Sequence, residues 1–310
     1  MKRVVSVSIG SSKRNKRVEE EFLGEKVIIE RIGTDGSIPK AIELIRELDG
    51  KVDAFGMGGI DLYIGIGRRR YMLRDAVPIA RAAKITPIVD GGRIKATLER
   101  RVIAYLNDVL KVPFREKTVL LVCGLDRFGM AEAIQSTGAR LILGDFIFTL
   151  NLPIKLTSLR ALDLAARIIA PFAVRLPFSV LYPTGKEQEK RTVHKYSRYY
   201  FEADIIAGDF HYIKKYMPRS LPGRSIITNT ITEEDVAELK AMGVSTLVTT
   251  TPEMDGRSFG TNVLEGLIVA LSGKRPEELT DEDVNGLLDK LNFKPRVEVL
   301  NPPSLIPQSV

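Results

Sequence analysis

Soft metal ligands are scarce. Cys123 is the only cysteine and His194 and His211 are the only histidines among 310 residues, which excludes an intrachain disulfide and a cysteine-built zinc site and leaves too few ligands for a transition-metal cluster. No uncharged apolar run reaches roughly 18 residues, so no segment reads as a membrane-spanning helix. The start, Met1-Lys2-Arg3-Val4-Val5, runs straight into a short apolar strand ending at Gly10, too short and wrongly flanked for a signal peptide. The expected location is cytoplasmic. Tryptophan is absent, and Asn and Gln number only eight and three, a depletion of the kind seen in thermophilic proteins.

What is present is ordinary globular chemistry. Hydrophobic residues make up 44% and charged residues 27%, which excludes a disordered chain. At roughly 100–200 residues per domain the length predicts two domains. The net charge of +7 is unevenly spread. Residues 1–117 hold 24 basic and 16 acidic side chains, whereas 118–310 hold 22 and 23, so the basic excess belongs to the first part. Its densest runs are Lys13-Arg14-Asn15-Lys16-Arg17 and Arg68-Arg69-Arg70. These read either as solvated loops or as an anion site, since Gly10-Ser11-Ser12-Lys13 follows the first strand and offers backbone N–H groups and hydroxyls to a carboxylate or phosphate. Aromatics hardly interleave with these charges, so a nucleic-acid partner is disfavoured and a small anionic substrate preferred.

Val4–Ile9 reads as a strand, Val18–Phe22 and Lys26–Ile32 as a hairpin around Gly24, and Ser37 as the cap of a helix over Ile38–Leu48. Strands over Val52–Met57 and Thr86–Val89, a second hairpin over Ile60–Leu73, a helix Val77–Lys84 and a long helix Ile94–Leu110 complete the first part. From Thr118 the pattern changes to alternating strands and helices: strands at Thr118–Cys123, Arg140–Gly144, Asp204–Ala207, Ser225–Thr228 and Ser245–Thr249, with helices Gly129–Ser136 and Glu233–Met242 between them. That alternation predicts a parallel sheet with helices on both faces. The expected organisation is α/β throughout: an N-terminal α/β domain (1–114), a doubly wound Rossmann-like domain (115–255), and a helical tail (256–310) bracing the two. Leu156–Tyr182 interrupts the alternation and reads as a helical insertion, with a lid or a membrane-surface patch as the alternative.

The strongest motif is Cys123-Gly124-Leu125-Asp126-Arg127-Phe128-Gly129, between a buried strand and a helix. Gly124 permits the tight turn, Gly129 close helix packing, and the amides opening the helix would face a pyrophosphate. Asp145 ends the next strand 21 residues after Gly124, the spacing of an acid that binds a ribose 2′-OH, which favours NAD over NADP. Asp126 stands where a second glycine is expected and brings a negative charge, with Arg127 as its compensation. S-adenosylmethionine, which has no pyrophosphate, is the alternative cofactor and makes a methyltransferase the alternative enzyme; a non-catalytic nucleotide- or nucleic-acid-binding protein is the third possibility. No metal is expected.

Ligands in open parallel sheets sit beyond the carboxyl ends of the strands. There the sequence places Asp209 and His211, Asn229 and Thr230, and Thr250 and Thr251. Asp209 reads as a helix cap, and His211 as a proton carrier for an alcohol or carbonyl, because an imidazole titrates near neutrality. In the first part Asp90 and Lys95 form a carboxylate–ammonium pair suited to orienting a hydroxyl, or else a helix cap and a surface lysine. Asn262, in the polar loop Arg257–Asn262, joins Ser11, Ser12 and Lys13 as a substrate candidate.

Over most of its length the chain resembles bacterial proteins catalogued as quinate 5-dehydrogenase, in the stretches Arg3–Ser12, Gly33–Gly67, Asp126–Glu132, Ala203–Pro218 and Thr249–Asn262. The resemblance implies NAD(P)-dependent oxidation of a ring hydroxyl in a cyclic polyol carboxylate, and a small α/β domain preceding a Rossmann domain. The sequence departs from that pattern at the chemistry. Ser6-Val7-Ser8 has the form of the carboxylate-binding serine pair but lies within a strand; the Asn-Val-Thr-x-Pro-x-Lys run is absent; and Gly33-Thr34-Asp35-Gly36 echoes the Asn-Thr-Asp motif too early in the chain. No catalytic residue carries over from the resemblance.

Overall fold

The computed structural model describes residues 1–66, 69–175, 196–229, 231–251, 253–254, 257–258, 260–303 and 305–306. In chain order the elements are β1 (Lys2–Ser8), β2 (Lys16–Phe22), β3 (Glu25–Gly33), α1 (Ile38–Leu48), β4 (Ala54–Gly58), β5 (Tyr63–Ile66), β6 (Arg69–Met72), α2 (Ala76–Ala80), β7 (Ile88–Val89) and α3 (Gly92–Ala104). There follow β8 (Thr118–Leu121), α4 (Phe128–Ser136), β9 (Arg140–Leu143), α5 (Leu159–Ala173), α6 (Arg198–Glu202), β10 (Ile205–Ala207), α7 (Phe210–Tyr216), β11 (Ser225–Thr228), α8 (Glu233–Ala241) and β12 (Thr246–Thr249). The chain closes with β13 (Glu253–Met254), β14 (Arg257–Ser258), α9 (Thr261–Ser272), α10 (Asp281–Lys290) and β15 (Arg296–Val299).

Two mixed, mainly parallel sheets form the frame. The first runs β2-β3-β1-β4-β7, with only β2 antiparallel to its neighbour, as the Gly24 hairpin requires. The second runs β15-β12-β11-β10-β8-β9, parallel except for the edge strand β15. Alternate residues of β8 face opposite cores. Val119 and Leu121 pack with Val102 of α3 and Met130 of α4, while Leu120 and Val122 pack with Tyr200 of α6 and Ile213 of α7. Because β9 lies on one side of β8 and β10 on the other, the chain reverses direction across the sheet at the carboxyl end of β8.

The last 50 or so residues do more than the helical tail anticipated from sequence. Helix α9 packs on the first sheet, its Val263, Leu264 and Leu267 sharing a core with Val4, Ala54 and Ile94, whereas β15 adds to the second sheet beside β12. Gly91 shows how closely α9 approaches: its φ is +87°, and a Cβ there would stand 2.3 Å from the Asn262 nitrogen. Other expectations shift at their edges. The helix over Val77–Lys84 shortens to α2, and the strand at Thr86–Val89 to two residues. The long helix ends at Ala104 and continues as one π turn over Tyr105–Val109. Ser37 caps α1 by accepting from the Lys40 amide, and Thr232 with Asp235 forms a reciprocal capping box on α8. The insertion is α5; the part of Leu156–Tyr182 beyond Arg175 lies outside the described residues, as does His194. No described helix is long and apolar enough to cross a membrane.

Candidate active site in the cleft between the sheets

Helix α3 connects the two halves and carries the centre of the site. It follows β7, its Ile94 shares the core of the first sheet with Val4 and Ala54, and its flank packs along α4, where a Cβ on Gly129 would stand 3.1 Å from Ala96. A cleft of about 380 Å3 opens along this contact, lined among others by Asp90, Lys95, Glu99, Asp126, Phe128 and Glu265.

Lys95 sits in the cleft with 14% of its side chain exposed, its ammonium 2.9 Å from Asp61 Oδ2 and 3.0 Å from Asp126 Oδ1. One carboxylate comes from the loop after β4 and the other from the Gly124 turn, so both halves of the chain build the triad. Burial weakens the ammonium, but Asp126 and Asp61 outweigh it and hold the lysine pKa above its ordinary value. The two carboxylates are driven apart. Burial, reinforced by the charges of Asp126 and Asp90 and opposed by Lys95, pushes Asp61 up to about 6. At Asp126 burial is outweighed by Lys95 and Arg127, which bring it down to about 2. An ammonium has three N–H donors; two are engaged by Asp61 and Asp126, which leaves one for a ligand oxygen.

One turn further along α3, Glu99 meets Arg127. The guanidinium, 4% exposed, donates from Nη1 to Glu99 Oε1 at 2.5 Å and from Nη2 to Asp209 Oδ2 at 3.1 Å, with Nε 3.2 Å from Asp126 Oδ2. Asp209 also caps α7 by accepting from the amides of His211 and Tyr212, and receives Asn229 Nδ2 at 2.9 Å. Arg127 thus knits α3, the Gly124 turn and the start of α7 together.

The remaining expected site residues do other work. Asp90 does not pair with Lys95: its carboxylate accepts from the amides of Leu62 (2.8 Å) and Gly92 (2.9 Å), fixing the loop that carries Asp61. His211 is not among the residues that line the cleft, and its Nε2 lies 3.3 Å from Arg14 Nη1 of the first half. Asn229 also receives the Phe210 amide and is committed to the loop ends. Thr250 faces a different groove, beside Tyr105 and Phe293. Thr230 lies outside the described residues. Asn262 donates to Ser6 Oγ at 2.7 Å, anchoring α9 to β1. Around Gly10 the donors are used internally: the Gly10 amide meets Ser8 Oγ, Ser12 meets Asp35 Oδ1 at 2.7 Å, and Lys13 meets Ser11 Oγ. The anion at that turn is the protein's own Asp35.

The Gly124 turn follows the same rule. The amides of Gly124 and Leu125 donate to the two oxygens of Asp145, at 3.0 and 2.9 Å, and Cys123 Sγ approaches the same carboxylate at 3.7 Å. A Cβ on Gly124 would lie 2.6 Å from the Leu143 Cδ2 methyl, which would have to move to admit it. With the Gly124 and Leu125 amides taken, Asp126 held by Lys95 and Arg127 turned inward, the pyrophosphate of NAD or NADP would have to displace Asp145 at this turn. The ribose of S-adenosylmethionine meets the same difficulty at Asp145. Burial raises the Cys123 thiol well above its usual range, which excludes a ready thiolate nucleophile.

Three carboxylates of this region are absent from the sequence-based site: Asp61, which reaches Lys95, and Glu99 and Glu265 in the cleft wall. Asp61 had a faint signal, an acid three residues after the strand end at Gly58. Glu99 lies four residues after Lys95, on the side of α3 that carries Leu98 and Val102 into the core. Glu265 is a lone carboxylate in the apolar run of α9, which is a visible sign. Burial and the neighbouring Asp90 raise Glu265 to about 7.

Residues 93–300 match the family described as a domain of unknown function, DUF8754. The chain belongs to that family. Residues 3–90 match a second such description, DUF8753. The DUF8754 region begins at Arg93, so Lys95 and Glu99 travel with the second sheet, while Asp61 and Asp90 lie in the DUF8753 region. No curated protein matches the chain. Among solved structures it is similar to a galactofuranose-binding protein (14% identity, 94% of this chain and 99% of that one, TM-score 0.36). It is also similar to L-tryptophan dehydrogenase from Nostoc punctiforme (11%, 94% and 80%, TM-score 0.39) and to the malic enzyme of Entamoeba histolytica (14%, 86% and 57%, TM-score 0.38). At such TM-scores these likenesses carry no weight for activity.

Proposed function

We propose that this DUF8754 protein is a small-molecule enzyme that performs acid–base chemistry on a hydroxyl or carbonyl group held at Lys95. The observation behind this reading is the ammonium fixed between Asp61 and Asp126, with an N–H to spare, in the wall of a cleft. Asp61, at about 6, is the group poised to take a proton at neutral pH. Lys95 stays charged and donates its remaining hydrogen bond to the substrate oxygen on which negative charge grows. Asp126, fully ionised, keeps Lys95 in place. As Asp61 accepts a proton from the substrate hydroxyl or from the carbon next to its carbonyl, the electron pair left behind moves onto that oxygen, beside the ammonium.

The test is exchange of carbon-bound hydrogen next to a carbonyl with solvent deuterium, followed by NMR across a panel of small oxo and hydroxy-oxo compounds with the full-length protein. Exchange in the wild type that is lost in Lys95→Met and in Asp61→Asn is the expected result. Exchange that survives both substitutions, or no exchange across the panel, removes the reading.

A second reading is oxidoreduction with a nicotinamide cofactor, including the oxidation of a quinate-like ring hydroxyl. It is favoured by the strand–Gly124–helix turn with Asp145 at the next strand end. It requires the Gly124 and Leu125 amides to leave Asp145. Calorimetric titration with NAD, NADP and S-adenosylmethionine decides it, since none of the three is expected to bind if the turn stays closed.

A further inference from the structure

The charges around the cleft do not balance. Among the described side chains, Lys95 and Arg127 are the cations of the buried cluster, and six carboxylates surround them: Asp61, Asp90, Glu99, Asp126, Asp209 and Glu265. Arg93 and Arg100 also line the cleft, but the first donates to the Leu279 carbonyl and the second pairs with Glu132 on α4. Lys95 is already neutralised from two sides.

One carboxylate oxygen is left without a partner, and a second carboxylate is held by backbone amides alone. Glu99 is 1% exposed and lines the cleft; its Oε1 is held by Arg127, and its Oε2 has no hydrogen-bond partner. A buried carboxylate oxygen without a donor is costly to keep, and a ligand donor reaching it from the cleft would relieve that cost. Glu265, 7% exposed, lines the same cleft and is held by the backbone amides of Arg93 and Ile94, with no ion pair to a cation among the described residues. Its Oε2 lies 3.5 Å from the Ile94 amide, and burial together with Asp90 raises its pKa to about 7. A metal ion does not answer this need, because no group of three or more described metal-ligating side chains converges.

We propose that the cleft selects a cationic ligand, a small polyol bearing a primary amine, whose ammonium is received by the carboxylate wall that includes Glu99 and Glu265 while a hydroxyl meets Lys95. This rests on the reading of the cleft as the substrate site, and it replaces the anionic substrate expected from the basic first half. An ammonium supplies three donors and one positive charge, the two things this wall lacks. A carboxylate-bearing ligand would add to the excess of negative charge and find Lys95 already paired.

Three probes of one skeleton and different charge test the idea: glucosamine, glucose and gluconate, titrated by calorimetry into the full-length protein at neutral pH. Glucosamine is expected to bind at least tenfold more tightly than gluconate, with glucose between them. Glu99→Gln is expected to weaken glucosamine at least fivefold and leave glucose unchanged; if that variant does not fold, Glu265→Gln is read the same way. Gluconate binding as tightly as glucosamine overturns the proposal, and so does failure of all three to bind at millimolar concentration. An equal loss of glucosamine and glucose in the variant also overturns it. The acid–base reading is judged separately by deuterium exchange, so glucose or gluconate binding without glucosamine would remove the cation preference and leave that reading standing.

Discussion

Lys95 and Arg127 are two buried cations in one network, both touching Asp126, yet their surroundings give them opposite roles. Arg127 is sealed at 4% exposure, and its guanidinium is divided among Glu99, Asp126 and Asp209 on three separate elements. Lys95 keeps 14% exposure in the cleft and one donor beyond its two carboxylates. The difference extends to what happens when each is removed. Without Lys95, Asp61 is already close to protonation and can answer the lost charge by keeping a proton and donating it to Asp126. Without Arg127, Asp209 loses the main charge that holds its carboxyl below the usual range against burial, and Glu99, 1% exposed, loses the guanidinium that holds its Oε1. A fixed cation with committed partners holds structure together; a cation whose partner titrates near neutrality is suited to chemistry.

This contrast can be broken at several points. Lys95→Met is expected to lower turnover by about 10²–10⁴-fold, the usual loss for an acid–base group, while costing no more than about 2 kcal/mol of stability. Steady-state rates and urea unfolding, measured together, check it. Arg127→Met should do the reverse in stability and cost about 3–5 kcal/mol, because it strands buried carboxylates; a comparable loss in both variants would erase the distinction. Asp61→Asn sharpens it through pH. The raised pKa of Asp61 means that its base form is present above about 6 and is lost below. Wild-type activity should therefore fall about tenfold per unit below pH 6, and that acid limb should be absent from whatever activity Asp61→Asn retains. The smallest effect is expected at Asp145→Asn, which weakens one of two amide contacts at the Gly124 turn and should cost about 1–2 kcal/mol by thermal unfolding.

Much of the framework was legible because periodicity and caps agree with the tertiary structure. The Gly24 hairpin, the Ser37 cap, the Thr232–Asp235 box and the alternation after Thr118 all point the same way as the packing. The glycine turns were legible in kind and wrong in partner. Both sites chosen as anion cradles do hold a carboxylate, but it is Asp35 at one and Asp145 at the other. The 21-residue interval that suggested a ribose-binding acid also lets a helix and a strand return an acid to the turn it left. Asn229 and Thr250 were misplaced for a reason of strand order: β10 separates β11 from β8, and both β10 and β11 separate β12 from it. Lys95 was readable as a charge near a helix start. Its partner Asp61 was not, because their meeting depends on the loop after β4 being tied down by Asp90 through the Leu62 amide.

The most direct test is the titration of the Asp61 side-chain carboxyl by carbon-13 NMR in the full-length protein and in Lys95→Met. The account predicts a midpoint near 6 in the wild type, moving higher when the neighbouring ammonium is removed. A wild-type midpoint at or below the ordinary aspartate value of about 3.9 would contradict it, because Lys95 would then be one more structural ion pair, no different in kind from Arg127.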